Sequence, residues 1–320
     1  MDVIKIRGPG FEALQPLLSD WSLTDSEGMQ ADRLTLTFSG EQALTNLPPS
    51  GIEWQVHIDG EYRGVYQISS VTEHLHPIKL SLQLTPAKFS VADDTGFKEP
   101  RRRTYPPATV GDVVKAVMEP HGYEVRVSPE LMSLPTDHLN QNEETDSAFI
   151  ARLAEKYGAL AKPVDHLYVF GHRGSLASLS GQPKPSVIVT PSDAQKGAAK
   201  IAHPSNDRFR GVKALWQTLE TGEHGTEQIG RSPFYQIKEA FKHAKEAQQH
   251  AAAKLAECNR KGQTFSATIR GKPGLFAESV MVLEGFVSPY SKGEWLINTV
   301  TLSGDRTSYT IQIEASRPSS

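Results

Sequence analysis

The feature that most constrains this chain is a recurrent two-residue alternation. Leu34-Thr35-Leu36-Thr37-Phe38, Trp54-Gln55-Val56-His57-Ile58 and Leu80-Ser81-Leu82-Gln83-Leu84 each set apolar against polar side chains with period two. Successive side chains of a strand point to opposite faces, so the pattern predicts half-buried β-strands and not helices. Asp59-Gly60 follows one run directly. A type I′ turn needs positive φ at both central residues, so this pair predicts a tight hairpin. The first ninety or so residues therefore read as a small antiparallel barrel or sandwich. Strand patterns return in Phe265-Ser266-Ala267-Thr268-Ile269, Val280-Met281-Val282-Leu283, Trp295-Leu296-Ile297 and Tyr309-Thr310-Ile311-Gln312-Ile313-Glu314, so a second β-unit closes the chain. Two β-rich halves hint at a duplicated barrel.

Between them the periodicity changes. Lys98 to Pro107 carries Pro100, Pro106, Pro107 and the run Arg101-Arg102-Arg103, a composition that argues against both helix and interior strand and predicts a boundary. Thr109 then reads as an N-cap with Asp112 three residues on. Val110, Val113, Val114 and Val117 share a helical face until Pro120 and Gly122. A second helix is predicted from Thr145 or Asp146 to Gly158, burying Phe149, Ile150, Leu153, Ala154 and Tyr157. Strand patterns such as Leu167-Tyr168-Val169-Phe170 and Ser186-Val187-Ile188-Val189 follow. The strongest helix is read over roughly 237–260, free of glycine and proline, with a narrow seam of Phe241, Ala244, Ala251, Leu255 and Cys258 that suits packing across a sheet. The expected fold is α+β, mainly β, with units at 1–95, 96–160 and 161–320, the last carrying the long helix.

Charge and cysteine content narrow the function. Thirty-four basic residues against thirty-seven acidic leave a net charge of -3, too little field to draw the chain onto nucleic acid or an anionic membrane. Protein partners are expected instead. A single cysteine, Cys258, excludes an internal disulfide framework and thiolate-rich zinc sites. The N-terminus turns polar within a few residues, and no run of about 18 apolar residues follows, so neither a signal peptide nor membrane insertion is expected.

No catalytic constellation emerges. Glu143-Glu144 precede a helix start, where the backbone dipole favours negative charge, and Asp93-Asp94 resembles a turn. Cys258 lies inside the long helix, a poor place for an activated thiolate. His74 and His76 would share one strand face but are too few for a metal, and His243 with His250 has the spacing of an ordinary helix face. Gly171, Gly174 and Gly181 do not form a dinucleotide fingerprint, and no phosphate-binding loop is present. Arg101-Arg102-Arg103 reads first as a solvated run and second as a protein contact, and Tyr105 alone supplies no base-stacking platform. Catalytic, cofactor and metal residues are accordingly expected to be absent.

One stretch is specific. Glu144-Thr145-Asp146-x-x-Phe149-Ile150-x-Arg152-Leu153-Ala154-x-x-Tyr157-Gly158 resembles the E-S-D-x-x-F-L-x-R-L-A-x-x-Y-G signature of the late-control protein D family of contractile phage tails. Asp32 to Thr37, Thr109 to Val114, Gly211 to Trp216, Ala247 to Ala251, Gly285-Phe286 and Glu294 to Ile297 agree in order. Thr145 stands for an expected serine and Glu143 for an asparagine, and a histidine is expected near Thr301. The resemblance implies a non-enzymatic baseplate hub, similar to the base of the type VI secretion spike, with two tube-like antiparallel β-barrels per chain. It further implies a homotrimer that joins a sixfold tail tube to a threefold spike and meets a tape-measure protein, assembled in the host cytoplasm and resident in the virion baseplate. The alternative from a different class is a tail-associated peptidoglycan-binding or peptidoglycan-degrading protein.

Overall fold

The computed structural model describes residues 2–28, 31–49, 51–88, 94–176, 178–179, 182–204, 209–218 and 221–318. Its largest element is a twelve-stranded sheet built from both ends of the chain. The hydrogen-bonded order is Ile4–Arg7, Glu53–Ile58, Glu61–Leu75, Ile78–Thr85, Arg33–Ser39, Leu18–Ser26, Glu294–Gly304, Tyr309–Ser316, Thr264–Arg270 and Lys200–Ala202. Val280–Leu283 branches from Glu294–Gly304, and Ser186–Val189 pairs with it in parallel. Asp59 and Gly60 both take positive φ at the hairpin between Glu53–Ile58 and Glu61–Leu75, as their chemistry predicts.

The two β-rich ends meet edge to edge. Leu18–Ser26 runs antiparallel to Glu294–Gly304, from Trp21 opposite Gly304 to Ser26 opposite Thr299. Trp21 secures one end of the seam, donating its indole N–H to the Asp305 carbonyl at 2.7 Å. Thr301 faces Thr24 across the seam with the two hydroxyls 3.5 Å apart. A single core joins the halves, with Leu23, Leu36, Phe38 and Trp54 in one cluster with Trp295, Leu302, Ile311 and Ile313. The strands of this sheet form one hydrogen-bonded path with a branch at Val280–Leu283.

The central α+β part has its own core, which includes Phe97, Val114, Phe149, Leu153 and Phe170. Helices Val110–Met118 and Asp146–Lys156 cover a three-stranded sheet of Glu124–Val127, Leu167–His172 and Ala159–Val164. Thr109 and Asp112 form the expected capping box, and Thr145 caps the second helix by accepting from the Ala148 N–H. The stretch read as a break contains a strand. Arg101–Tyr105 pairs with Leu139–Glu144, because Pro100 and Pro106 lie just outside it and a two-stranded ladder asks for hydrogen bonds on one side only.

A third part is a sheet of Gly211–Gln217, His224–Gly230 and Phe234–Phe241 with the long helix lying across it. That helix spans Ala244–Lys261 and starts later than the alanine-rich composition suggests. Residues 237–241 instead extend a strand parallel to Gly211–Gln217, which places Ile237 and Phe241 against the small core of Val212, Ala214, Ala247 and Ala251. Among the described residues no helix is long and apolar enough to cross a membrane.

Candidate functional site

The signature stretch folds into a packed charge cluster. Asp146, at the first turn of its helix, is buried, where a carboxylate is tolerated only with close partners. One oxygen accepts from Gln141 Nε2 at 2.7 Å, and the other lies 2.8 Å from His121 Nε2. Arg101 Nε at 3.3 Å and Arg103 Nη1 at 3.6 Å bring two cations to it. Burial by itself would raise the Asp146 carboxyl. The hydrogen bonds from His121 and Gln141 and the charges of Arg101 and Arg103 outweigh it and hold the group below the ordinary carboxylate range.

The rest of the motif serves the same packing. Glu144 receives Arg152 through Nε and Nη2, at 3.3 and 2.5 Å. Phe149 stacks on Tyr105 with ring centroids 5.1 Å apart and planes 13° from parallel. Gly158 ends the stretch at φ +59, and a Cβ there would come within 3.0 Å of Ala253 Cβ on the long helix. Lys156 Nζ meets Glu246 Oε1 at 2.8 Å across the same contact. The signature therefore builds a core at one end and seats the long helix at the other.

A second buried cluster ties the central α+β part to the large sheet. Trp21, Leu23 and Asp25 alternate inward on their strand, which puts a carboxylate on an apolar face. Lys162 sits on the strand Ala159–Val164, on the face opposite core residues Ala159 and Ala161. Its ammonium donates to Asp25 Oδ1 at 3.0 Å, Asp32 Oδ1 at 3.1 Å and the Ser26 carbonyl at 2.7 Å. Asp25 Oδ2 accepts from the Ala277 N–H at 2.8 Å. Burial and the neighbouring Asp25 charge push the Asp32 carboxyl up to about 8. Burial alone would lower Lys162, but Asp25, Asp32 and Glu278 outweigh it and raise its affinity for the proton. Asp165 adds a nearby tie, its Oδ1 accepting from the Val65 N–H at 3.1 Å and the Tyr62 hydroxyl at 3.2 Å.

The family model described as phage tail baseplate hub (GPD) matches residues 99–308, from the first strand of the Asp146 cluster to the last turn of the large sheet. The chain belongs to this family. It is similar to the probable baseplate hub protein of Escherichia phage 186, at 21% identity over 92% of this chain and 86% of that protein. The probable baseplate hub protein of Escherichia phage P2 is 27% identical over 62% of this chain and 51% of its own length. In fold the chain is similar to the 43 kDa tail protein of prophage MuSo2 from Shewanella oneidensis, with TM-score 0.69, 17% identity, and 94% of both chains covered. A tail protein from Neisseria meningitidis gives TM-score 0.69 at 15% identity, over 98% of this chain and 96% of that one. An Escherichia coli component of the type VI secretion system gives TM-score 0.61 at 13% identity, over 99% of this chain and 77% of that one.

In this hub-family chain the residues singled out from sequence scatter. Arg101 and Arg103 turn inward to Asp146, so two of the three arginines serve the fold, while Arg102 is exposed. Glu144 pairs with Arg152 and leaves the helix cap to Thr145, and Glu143 takes positive φ at a bulge in its strand. His74 is exposed and reaches Ser81, whereas His76 precedes a cis proline at the hairpin tip. His243 is the N-cap residue of the long helix, and His250 stacks on Phe241 at 4.3 Å. Cys258 is half-buried, and burial pushes its thiol up, away from thiolate chemistry. Gly171 lies in a strand and Gly174 in a turn. Asp93 and Gly181 fall outside the described residues, where Asp94 does not. Among the described residues no three histidine, cysteine or acidic side chains converge as a metal would require.

The reading from sequence missed Asp25, Lys162 and His121 and took Asp146 only as a helix start. The signal for Asp25 was present, as a carboxylate in register with Trp21 and Leu23 on an otherwise apolar strand face. Nothing local marks Lys162 or His121, since their partners lie 130 to 137 and 25 residues away.

Proposed function

We propose that this chain is the central hub of a contractile phage-type tail, a homotrimeric adaptor between a sixfold tail tube and a threefold spike. The observation that carries the reading is the edge-to-edge pairing of two β-rich ends in one chain within a member of the baseplate hub family. In this reading residues 1–95 and 161–320 supply two tube-like units, with 96–160 between them and strands exchanged. Three chains then offer six similar units to the tube while keeping threefold symmetry for the spike. The interfaces would be large and permanent, with the tube and spike proteins as partners and the tape-measure protein's end as a further contact. Assembly would take place in the host cytoplasm before the hub joins the baseplate. The role is structural, in keeping with carboxylates and histidines whose contacts serve packing.

Native mass spectrometry of the chain with and without its spike protein tests the stoichiometry, and trimers are expected in the mixture. Micrographs of tails made without the chain test the role, and normal spike-bearing tails would sink it. The reading as a peptidoglycan-degrading protein predicts soluble fragments released from purified cell wall, lost on substitution of a carboxylate.

A further inference from the structure

The joint at Lys162 carries more acid than base. Asp25 and Asp32 both contact one ammonium, at 3.0 and 3.1 Å, whose three hydrogens are all used. The side chains of all three residues are about nine-tenths buried. Every element packed around the joint adds charge. From Glu61–Leu75 come Arg63 and Tyr66, but Arg63 spends its guanidinium on the Leu275 carbonyl at 3.0 Å and Glu61 at 3.1 Å, with its face over Phe276. From the C-terminal side comes Glu278, whose carboxyl is pushed up by burial against the opposing charges of Lys162 and Lys184, with Asp25 and Glu27 adding to the rise. Asp165 is felt at Tyr66. A cleft of about 610 Å³ reaches Asp32 between Thr85, Ser147 and Tyr168, giving the carboxyl an open route for proton exchange.

We propose that Asp25, Asp32 and Lys162 form a proton-operated clamp. With a proton on Asp32 the trio is neutral and the α+β part is held to the large sheet. Without it, two carboxylates face one ammonium and the docking loosens. The residues released by opening include Ala161, whose N–H donates to the Gly28 carbonyl at 3.2 Å, and Ala277, which donates to Asp25. In the opened joint the Asp32 carboxyl meets water and titrates as an ordinary aspartate. The closed joint thus binds one proton more than the open one from mildly acid to mildly alkaline solution, and rising pH favours opening. The clamp belongs to the single chain and stands or falls independently of the hub assembly.

Amide-resolved hydrogen exchange on the full chain, corrected for intrinsic rates, reads the opening. At the Ala161 and Ala277 amides it should rise about ten-fold per pH unit between about pH 6 and 8 and level off above. The Val212 and Ala214 amides of the remote sheet serve as the control. Asp32→Asn keeps an acceptor for Lys162 but cannot titrate, and its profile should be flat. No excess slope over the control, or an unchanged slope in Asp32→Asn, overturns the proposal. Infrared spectroscopy gives a readout that does not depend on that variant folding. Wild-type protein near neutral pH should show a buried protonated-carboxyl band that vanishes in mild alkali and persists in Glu278→Gln. Absence of the band, or its loss in Glu278→Gln, also overturns the proposal.

Discussion

Replacing Asp146 by alanine should undo the α+β core while sparing the large sheet. The substitution strips the buried carboxylate from His121 and Gln141, bonded at 2.8 and 2.7 Å, and from Arg101 and Arg103 at 3.3 and 3.6 Å. The arginine side chains are 24% and 38% exposed, so water compensates them and their share is small. The loss rests on His121 and Gln141. Hydrogen bonds to a charged group contribute about 1.5–3 kcal/mol each. A loss of about 3–4 kcal/mol follows, or a few hundred-fold in the opening equilibrium, since each 1.4 kcal/mol or so is ten-fold. The four tryptophans at 21, 54, 216 and 295 all lie outside this core, so their fluorescence is a poor probe. Hydrogen exchange of peptides covering 101–105 and 139–156 is the assay. Asp146→Asn, which keeps an acceptor for Gln141, should lose less. Because the Asp146 carboxyl is held below its unfolded value, its stabilisation is complete above about pH 5 and fades as pH falls through the folded value. The Asp146→Ala variant should lack that acid sensitivity. A change of less than about ten-fold in protection would refute the reasoning and show that His121 and Gln141 find other partners.

Three further outcomes can be checked separately. Phe149→Ala removes a fully buried ring stacked on Tyr105 and should cost about 3–5 kcal/mol, read by exchange in the same peptides. Gly158→Ala places a Cβ at φ +59 and 3.0 Å from Ala253. The left-handed backbone alone costs an L-residue about 1–2 kcal/mol, so a lower melting temperature and faster exchange in 244–261 are expected, with the large sheet unchanged. Cys258 has its thiol pushed up by burial, so a disulfide reagent at neutral pH should modify the folded chain more slowly than the urea-unfolded one. Equal rates would show an open, ordinary thiol.

Much of this architecture was legible because its causes are local. Alternation in Arg33–Ser39 and Glu53–Ile58, the Asp59-Gly60 turn, the Thr109 and Thr145 caps and the stripe of Phe149, Ile150, Leu153 and Ala154 each depend on residues a few positions apart. The misjudged segments failed for one reason. Arg101–Tyr105 looks like a solvated linker until Leu139–Glu144 lies beside it, and 237–241 looks helical until Gly211–Gln217 offers a strand to join. Intrinsic preference is a weak prior that a distant ladder overrides.

The sequence alone determined that the chain is mainly β, where its helices begin to cap, and, through Glu144 to Gly158, which family's signature it carries. Tertiary structure decided what those residues do. It joined Leu18–Ser26 to Glu294–Gly304 across nearly the whole length of the chain, turned Arg101 and Arg103 inward onto Asp146, and brought Asp25, Asp32 and Lys162 to one point. Period and capping are properties of a segment and can be read from it. Strand partners and buried charge pairs are properties of two distant segments, and neither segment alone records the other.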